Sequence, residues 1–392
     1  MRRKHHLALR PRERALPPAA PACPTHPVSV VSRPLVDIRL EGVTALDAAH
    51  GPVENVTLQV RHGEFFTVVG SQRSGKSMLL RLVAGFAEPR AGRVLFEGEN
   101  VTRTPPGQRG IGFVFQDGAL WPHLNVFEHV AFGLRAGRAP AEEVERRVPR
   151  VLSRLGLGGL EARRPDALTL DQRRRLALAR ALAVEPRVLL LDEPLSHLEP
   201  TARKALRLEL ARLHRDLAVT TLHATRDAAD ALALSDRIAV LVDGRVVQVG
   251  EPPELYWRPR DSSVASALGP ANLLPVRVVE VRDTGVVVES PGGSRAPIAA
   301  EGKWREGAQG LLCMRPESLG LVEAAMARGP GFPGTVALRV FEGTRHMYEV
   351  DIGGGAKLGV ELPAIGESHI FRLGDPVRVE ISSETAILLP PD

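Results

Sequence analysis

The sequence predicts two folded parts, an α/β domain with a largely parallel sheet and, after it, a small all-β barrel. The first part alternates short apolar strand patterns, such as EFFTVVG (64–70) and RVLLLDEP (187–194), with segments of helical spacing. Strands that alternate with helices indicate a parallel sheet covered by helices. From about residue 271 the pattern changes to short strands separated by turns, which is typical of an all-β barrel.

The domain boundaries follow these changes of pattern. Residues 1–33 are rich in Arg, Pro and Ala without a helical or strand period, and we expect them to be a disordered extension. The α/β domain should span 34–270, with a mostly helical insert at about 125–185. The all-β domain should span 271–392.

Composition and charge exclude several classes of protein. The net charge of +5 is modest for 392 residues and the basic residues are spread along the chain, so no nucleic-acid partner is expected. Cys23 and Cys313 lie far apart and fit neither a disulfide framework nor a zinc site. No run approaches the roughly 18 apolar residues of a membrane span, and Arg and Pro interrupt any secretory signal at the start. We therefore expect a protein on the cytosolic side that reaches a membrane only through partners.

A phosphate-binding loop is predicted at GSQRSGKS (70–77), which fits the pattern G-x-x-x-x-G-K-[ST] between a strand and a helix. Gly70 and Gly75 let the backbone N–H groups point inwards at phosphate oxygens. Lys76, at the helix start, should reach the β- and γ-phosphates, and Ser77 should ligate Mg²⁺. A chance Gly/Ser turn explains this context poorly. The predicted nucleotide-binding residues are Gly70, Ser71, Gln72, Arg73, Ser74, Gly75, Lys76, Ser77 and Met78.

A second strand supplies two carboxylates to the same site. The apolar residues 188–191 bring Asp192 and Glu193 to the carboxyl end of a buried strand, the edge at which open α/β sheets bind ligands. Asp192 should hold Mg²⁺ through water, and Glu193 should act as general base on the attacking water. A strand-end cap or an ion pair explains either carboxylate alone, but explains the adjacent pair beside a phosphate loop poorly.

With these residues in place, the sequence resembles the ATP-binding subunits of ABC transporters, and more narrowly the importer subunits with a C-terminal regulatory barrel. The resemblance covers about 35–390. FVFQDGALWPHLNVFEHVAFGL (113–134) resembles the Q-loop region, in which Gln116 would touch Mg²⁺ or the attacking water. VLLLDEPLSHLEP resembles the Walker B strand and D-loop, and ANLLP and MRPESLGLV resemble stretches of the regulatory barrel. The resemblance implies a P-loop NTPase fold followed by an OB-like barrel, with ATP and Mg²⁺ as cofactors.

The resemblance also implies partners. Family members act as homodimers or heterodimers of ATPase subunits, together with two transmembrane permease subunits and a solute-binding protein. Their helical insert meets the permease, so the expected location is the cytoplasmic face of the inner membrane. The barrel resembles that of importers for polyamines, ferric iron and related small solutes more than the sugar type.

The departures from the family begin in LTLDQRRRLALARAL (168–182). The family signature reads L-S-G-G-Q and reaches across a dimer to the γ-phosphate held by the opposite subunit, whereas this chain has LTLDQ. Leu170 removes a glycine that permits close approach, and Asp171 adds a negative charge. If nothing compensates its charge, Asp171 about 5 Å from the γ-phosphate would be repelled by roughly 3 kcal/mol per pair of unit charges at an effective dielectric near 20. The predicted in-trans residues are Thr169, Leu170, Asp171, Gln172 and, in the D-loop, Glu199.

Arg226 occupies the position of the family's switch histidine, whereas His223 should face elsewhere. The aromatic residue that stacks on adenine has no clear match, and His50 is the nearest candidate. Signature and switch converge on one γ-phosphate in the family's closed dimer, so Arg226 or Arg73 of one subunit could pair with Asp171 of the other. Relaxed selection after a loss of activity explains the same changes equally well.

Three interpretations of the function stay open at this stage. The chain is a working importer ATPase with an altered interface, a partner of a standard ATPase subunit in an asymmetric dimer, or a non-hydrolysing ATP-binding regulator. The predicted catalytic residues are Glu193, Gln116, Lys76 and Arg226. The predicted metal ligands are Ser77, Gln116 and Asp192. Because this chemistry is retained, the sequence favours hydrolysis.

Overall fold

The structure is a computed structural model that describes residues 36–47, 49–300, 302–327, 329–365, 370–382 and 384–391. The extension predicted at 1–33 lies outside these residues. The strands of the first part are β1 (Ile38–Asp47), β2 (Gly51–Val60), β3 (Phe65–Val69), β4 (Ala91–Phe96), β5 (Glu99–Asn100), β6 (Ile111–Val114), β7 (Val188–Asp192), β8 (Thr220–Thr225), β9 (Arg237–Val242) and β10 (Arg245–Gly250). The α-helices are α1 (Lys76–Ala84), α2 (Val126–Ala136), α3 (Ala141–Arg154), α4 (Leu170–Ala183), α5 (Pro200–Leu217), α6 (Ala228–Leu234), α7 (Pro252–Trp257) and α8 (Ser262–Ala267).

A six-stranded sheet in the order β10–β9–β3–β8–β7–β6 forms the centre of the first part. The strands from β9 to β6 run parallel, and β10 is antiparallel to β9. The α/β fold with a largely parallel sheet is thus confirmed. Because β3, β8, β7 and β6 run parallel, their carboxyl ends lie along one edge of the sheet. The segments that carry Lys76, Gln116, Glu193 and Arg226 leave from this edge.

Both faces of the central sheet are covered, which explains why its strands are apolar without alternation. Phe66 of β3 and Leu190 of β7 pack against α1 and a four-stranded antiparallel sheet in the order β2–β1–β4–β5. Phe65 and Leu191 face the opposite way, into the core formed with α2 to α5. Successive residues of a strand point to opposite faces, so each strand anchors both layers.

Helices α2, α3 and α4 lie between β6 and β7 in the chain. A capping box, Asn125 with Glu128, starts α2, and a second one, Thr169 with Gln172, starts α4. Such reciprocal bonds satisfy backbone N–H groups that the first turn of a helix leaves unpaired. No helix within the described ranges combines the length and apolar character needed to cross a membrane.

The all-β part consists of β11 (Asn272–Arg282), β12 (Gly285–Glu289), β13 (Arg295–Ile298), β14 (Gln309–Met314), β15 (Leu319–Glu323), β16 (Gly331–Phe341), β17 (Arg345–Asp351), β18 (Lys357–Pro363), β19 (Pro376–Ile381) and β20 (Ile387–Leu389). They form two antiparallel sheets, in the orders β13–β12–β11–β14–β20 and β15–β19–β16–β17–β18. Side chains of both sheets share one apolar core. The edge strands β15 and β18 contact each other, so the second sheet curls towards closure, as expected for a small barrel.

Arg315, from the segment MRPESLGLV, joins the all-β part to α7 and α8. Only 2% of its surface is exposed. Its Nη1 donates to the carbonyls of Ala265, Gly269 and Pro270, and its Nη2 to that of Tyr256 at 3.1 Å. The buried charge is therefore satisfied by backbone oxygens.

Candidate functional site

The phosphate loop connects β3 to α1, and its two glycines are required by close backbone contacts. A Cβ atom at Gly70 would lie 2.3 Å from the carbonyl oxygen of Leu241, and one at Gly75 would lie 2.1 Å from that of Pro52. Gly75 also has a φ of +98°, in the left-handed region that favours glycine. Helix α1 begins at Lys76, as the sequence predicts. A larger residue at either glycine position would therefore displace the loop.

Lys76 is buried at the base of this loop, with 4% of its surface exposed. Its Nζ donates to the carbonyl of Ser71 at 2.6 Å and lies 3.4 Å from Ser74 Oγ. Burial lowers the Lys76 pKa to about 8, although the charges of Glu193 and Asp192 oppose that shift. A phosphate beside Nζ would add a strong favourable partner for the ammonium.

Ser77 and Asp192 meet across α1 and β7. The Ser77 hydroxyl donates to Asp192 Oδ1 at 2.9 Å, and burial raises the pKa of the Asp192 carboxyl. A hydroxyl and a carboxylate oxygen are the hard ligands that Mg²⁺ prefers. Because the described residues contain no group of three or more His, Cys, Asp or Glu side chains that could hold a metal, phosphate and water oxygens would have to supply further ligands. This donor set fits Mg²⁺ bound with a nucleotide.

Glu193 directs its carboxylate into the site from a strained turn. Its φ of +45° is unusual for a residue with a side chain, and its N–H donates to the carbonyl of Ala224 at 2.9 Å. Gln116 Nε2 lies 3.4 Å from Glu193 Oε2. Arg226 Nε lies 2.9 Å from Glu193 Oε1, so the carboxylate is neutralised by an arginine of its own chain.

An open polar cleft of about 270 Å³ collects most of these side chains. Its lining residues are Ala49, His50, Gln72, Arg73, Lys76, Ser77, Gln116, Glu193, His197 and Arg226. The lining thus includes all four predicted catalytic residues. It includes two of the three predicted metal ligands, Ser77 and Gln116, whereas Asp192 lies outside it, bonded to Ser77. Met78 does not face it, because its side chain is buried in the apolar core.

The histidines around the site differ in exposure. His50 lines the cleft, with Nδ1 2.7 Å from Asp47 Oδ2, and its stacking on adenine stays a prediction. His223 is fully buried, 3.1 Å from Thr67 Oγ1, and burial lowers its pKa to about 3. It therefore faces away from the cleft, as predicted. His197, in the loop after β7, was not predicted, although LSHLEP places it four residues after Glu193.

The predicted in-trans residues lie outside the lining of this cleft. Leu170 is exposed at the start of α4, and Glu199 is exposed before α5. Asp171 Oδ2 accepts from Arg175 Nε at 2.9 Å, and Arg175 also pairs with Glu209. The charge of Asp171 therefore already has a partner in its own chain.

Comparison with known proteins identifies the family. A family model described as ABC transporter matches residues 53–196, and one described as TOBE domain matches 312–389. The spermidine/putrescine import ATP-binding protein PotA 1 of Pseudomonas aeruginosa is 39% identical over 349 residues, 88% of this chain and 94% of that relative. This chain belongs to the ATP-binding subunits of ABC importers. The maltose/maltodextrin import ATP-binding protein MalK of Escherichia coli K12 is 37% identical over 91% of this chain and 94% of its own length.

Solved structures support the same fold for this ABC ATPase. The structure of cbiO1 from Clostridium perfringens, described as part of an ABC transporter complex, has a TM-score of 0.52 and 28% identity. It covers 56% of this chain and 90% of its own. A dimeric, post-hydrolysis structure of the ATP-binding cassette MJ0796 with ADP and Pi has a TM-score of 0.50 and 27% identity, over 55% and 98% of the two chains. These structures confirm the P-loop fold, and the TOBE-domain match at 312–389 confirms the C-terminal all-β domain.

Proposed function

We propose that this ABC ATPase subunit binds MgATP in the polar cleft and hydrolyses it to drive uptake of a small solute through separate transmembrane subunits. The observation that supports this proposal is the meeting of three chain segments at one sheet edge, namely the start of α1, the loop after β6 and the end of β7. They bring Lys76, Ser77, Gln116 and Glu193 to one cleft, with Asp192 hydrogen-bonded to Ser77. Ligands of open α/β sheets bind at this edge.

The phosphate groups would be held by the backbone N–H groups of residues 70–78 and by Lys76. The start of α1 adds the partial positive charge of a helix N-terminus. Ser77 would bind Mg²⁺ directly, Asp192 would hold it through water, and Gln116 would approach it from the Q-loop. When bound, Mg²⁺ would neutralise charge on the β- and γ-phosphate oxygens.

Glu193 would accept a proton from the water that attacks the γ-phosphate, and Gln116 would orient that water. In the free chain Arg226 neutralises Glu193 at 2.9 Å. A γ-phosphate carries more negative charge than one carboxylate, so it would draw the half-exposed Arg226 towards itself and leave Glu193 free to act as base. Arg226 would then stabilise the charge that develops on the phosphate.

A non-hydrolysing regulator is the second candidate, and the Glu193–Arg226 pair is the observation that favours it. A base that stays paired with a cation accepts a proton poorly. The measurement that decides is steady-state ATPase turnover of the purified full chain and of Glu193→Gln. We expect measurable wild-type turnover and a loss of at least about 100-fold in the variant. Absence of wild-type turnover, alone and with its permease, would overturn the hydrolysis proposal.

The in-trans surface is proposed to be the exposed start of α4 and the D-loop. In a dimer, Thr169, Leu170, Asp171 and Gln172, with Glu199, would face the nucleotide of the opposite subunit. Leu170 and Asp171 would then contact phosphate less closely than two glycines. This favours either a homodimer that hydrolyses ATP slowly or an asymmetric heterodimer with an ATPase subunit that carries the usual signature. Sedimentation with MgATP and the Glu193→Gln variant tests whether the chain dimerises with itself.

The transport setting is part of the proposal. We place the subunit at the cytoplasmic face of the inner membrane, with two permease subunits, a solute-binding protein and no nucleic acid. We also propose the division into 34–270, with its insert at about 125–185, and 271–392, on the basis of the change from alternating strands and helices to strands alone. A polyamine or ferric-iron solute stays a prediction, because relatives named for polyamines and for maltose are almost equally similar. Uptake of labelled spermidine, ferric iron and maltose by cells with and without the chain would distinguish them.

A further inference from the structure

Arg174, on α4, lies behind the catalytic side chains and was not singled out from the sequence. Only 6% of its surface is exposed. Its Nη1 donates to the backbone carbonyl of Gln116, and its Nη2 lies 3.3 Å from the carbonyl oxygen of Ser196 and 3.4 Å from its Oγ. One guanidinium thus joins helix α4, the Q-loop and the loop after β7.

Ser196 extends this connection to Glu193. Its Oγ donates to the Glu193 carbonyl at 2.8 Å, and its N–H donates to the same oxygen at 3.1 Å. The strained turn at Glu193 is therefore held from behind by Ser196, which is itself held by Arg174. The negative charges of Asp117 and Glu193 also favour the cationic form of Arg174, although burial lowers its pKa.

The side chains of Gln116 and Glu193 hold each other only weakly, since their closest polar atoms are 3.4 Å apart. Their relative position must come from the backbones that carry them. Arg174 is the side chain that donates to the Gln116 backbone and to Ser196 at the same time. A rigid planar fork of donors suits this task better than the single ammonium of a lysine.

We propose that Arg174 is a positioning residue for hydrolysis, which keeps Gln116 and Glu193 at their reactive spacing and links both to α4. The inference rests on the proposed function. Because α4 starts with the in-trans residues 169–172, a movement of this helix on dimer closure would reach both catalytic residues through one side chain. Arg174 itself would touch neither nucleotide nor metal.

The test is the steady-state kinetics of the full chain carrying Arg174→Met, which removes the donors and keeps the bulk. We expect kcat to fall by about 100-fold, the loss that a displacement near 1 Å can cause, with the KM for ATP almost unchanged because the phosphate loop is intact. Arg174→Gln retains part of the hydrogen bonding, so its kcat should fall less. Activity is expressed per folded protein. If Arg174→Met folds poorly, the kcat of Arg174→Gln provides the test instead.

Arg147→Met is the matched control. Arg147 also lies in the helical insert, donates to the carbonyl of Ala183 at 3.3 Å and pairs with Glu143 and Glu185, away from the cleft. It should lower thermal stability without changing kcat. A kcat loss in Arg147→Met equal to that in Arg174→Met would show a general effect of loosening the insert and would overturn the positioning role.

A Gln116→Ala background separates positioning from stability. If Arg174 acts by setting the spacing between the Gln116 and Glu193 side chains, Arg174→Met should reduce kcat much less in that background, in which the Gln116 side chain is already absent, than in the wild type. If Arg174→Met lowers kcat by the same factor in both backgrounds, or leaves the wild-type kcat unchanged, this inference is overturned and the proposed function stays intact. Absence of wild-type turnover overturns the proposed function, and this inference with it.

Discussion

The phosphate loop and the start of α4 are both helix N-termini proposed to face phosphate, yet they are built in opposite ways. The loop before α1 depends on glycines that contact neighbouring backbone, and no side chain caps the helix. The start of α4 is closed by the Thr169–Gln172 capping box and by the Asp171–Arg175 pair. The first end has no side-chain cap on its N–H groups, whereas the capping box at the second satisfies the N–H groups of Thr169 and Gln172.

This difference indicates which helix start a bound nucleotide would stabilise. An uncapped helix start with a buried lysine gains stability when an anion binds. A capped start with a paired carboxylate gains little from one. We therefore expect a bound nucleotide to stabilise the start of α1 more than the start of α4.

The largest effect is expected from Lys76→Met, which removes the cation of the nucleotide-binding side. ATP hydrolysis should fall by more than about 100-fold, because the ammonium stabilises charge on the γ-phosphate in the transition state. Steady-state ATPase rates measure this. Lys204→Met, on α5, is the control and should keep the wild-type rate. Retention of turnover in Lys76→Met would show that hydrolysis does not need the lysine at the start of α1.

Arg226→Gln tests the nucleotide-binding side at the position of the family's switch histidine, which lines the cleft. We expect kcat to fall by about 10- to 100-fold, because a cation near the γ-phosphate is lost. Arg226→Lys, which keeps the charge, should fall less. A rise in kcat would instead show that Arg226 only restrains Glu193.

The pH dependence of ATP binding tests whether the charge of Lys76 contributes to nucleotide affinity. Burial lowers the Lys76 pKa to about 8, so the free protein loses the ammonium as the pH rises through that value. Because phosphate binds the charged form, ATP affinity should be highest below pH 8 and fall by up to about tenfold per pH unit above it. Calorimetry from pH 7 to 9.5 measures this. Lys76→Met should bind weakly and show no such fall.

The smallest effect concerns the proposed pair between Asp171 and Arg226 of opposite subunits. Both groups have partners in their own chain, namely Arg175 and Glu193. We therefore expect the effects of Asp171→Gly and Arg226→His on the ATPase rate to add within about 0.5 kcal/mol. A larger coupling in the double-mutant cycle would support the pairing between subunits.

Several features of the site could be predicted because they depend on local sequence. The loop at 70–77 and the buried strand that ends at Asp192 are recognisable from residue type and spacing alone. The partner of Arg226 could not be predicted in this way, because Glu193 lies 33 positions from it in the chain. The pair of Asp171 with Arg175 differs, because its spacing of four residues on a helix is itself a local pattern.

The α/β and all-β parts, the phosphate loop and the carboxylates at the strand end can be read from the sequence, because periodicity and glycine positions act over short distances. The folded chain was needed to show that Arg226 neutralises Glu193, that His197 lines the cleft, and that Arg174 joins Gln116 to the Glu193 turn. These contacts arise from the order of strands in the sheet. That order brings loops from distant parts of the chain to one edge, and no local pattern in the sequence records it.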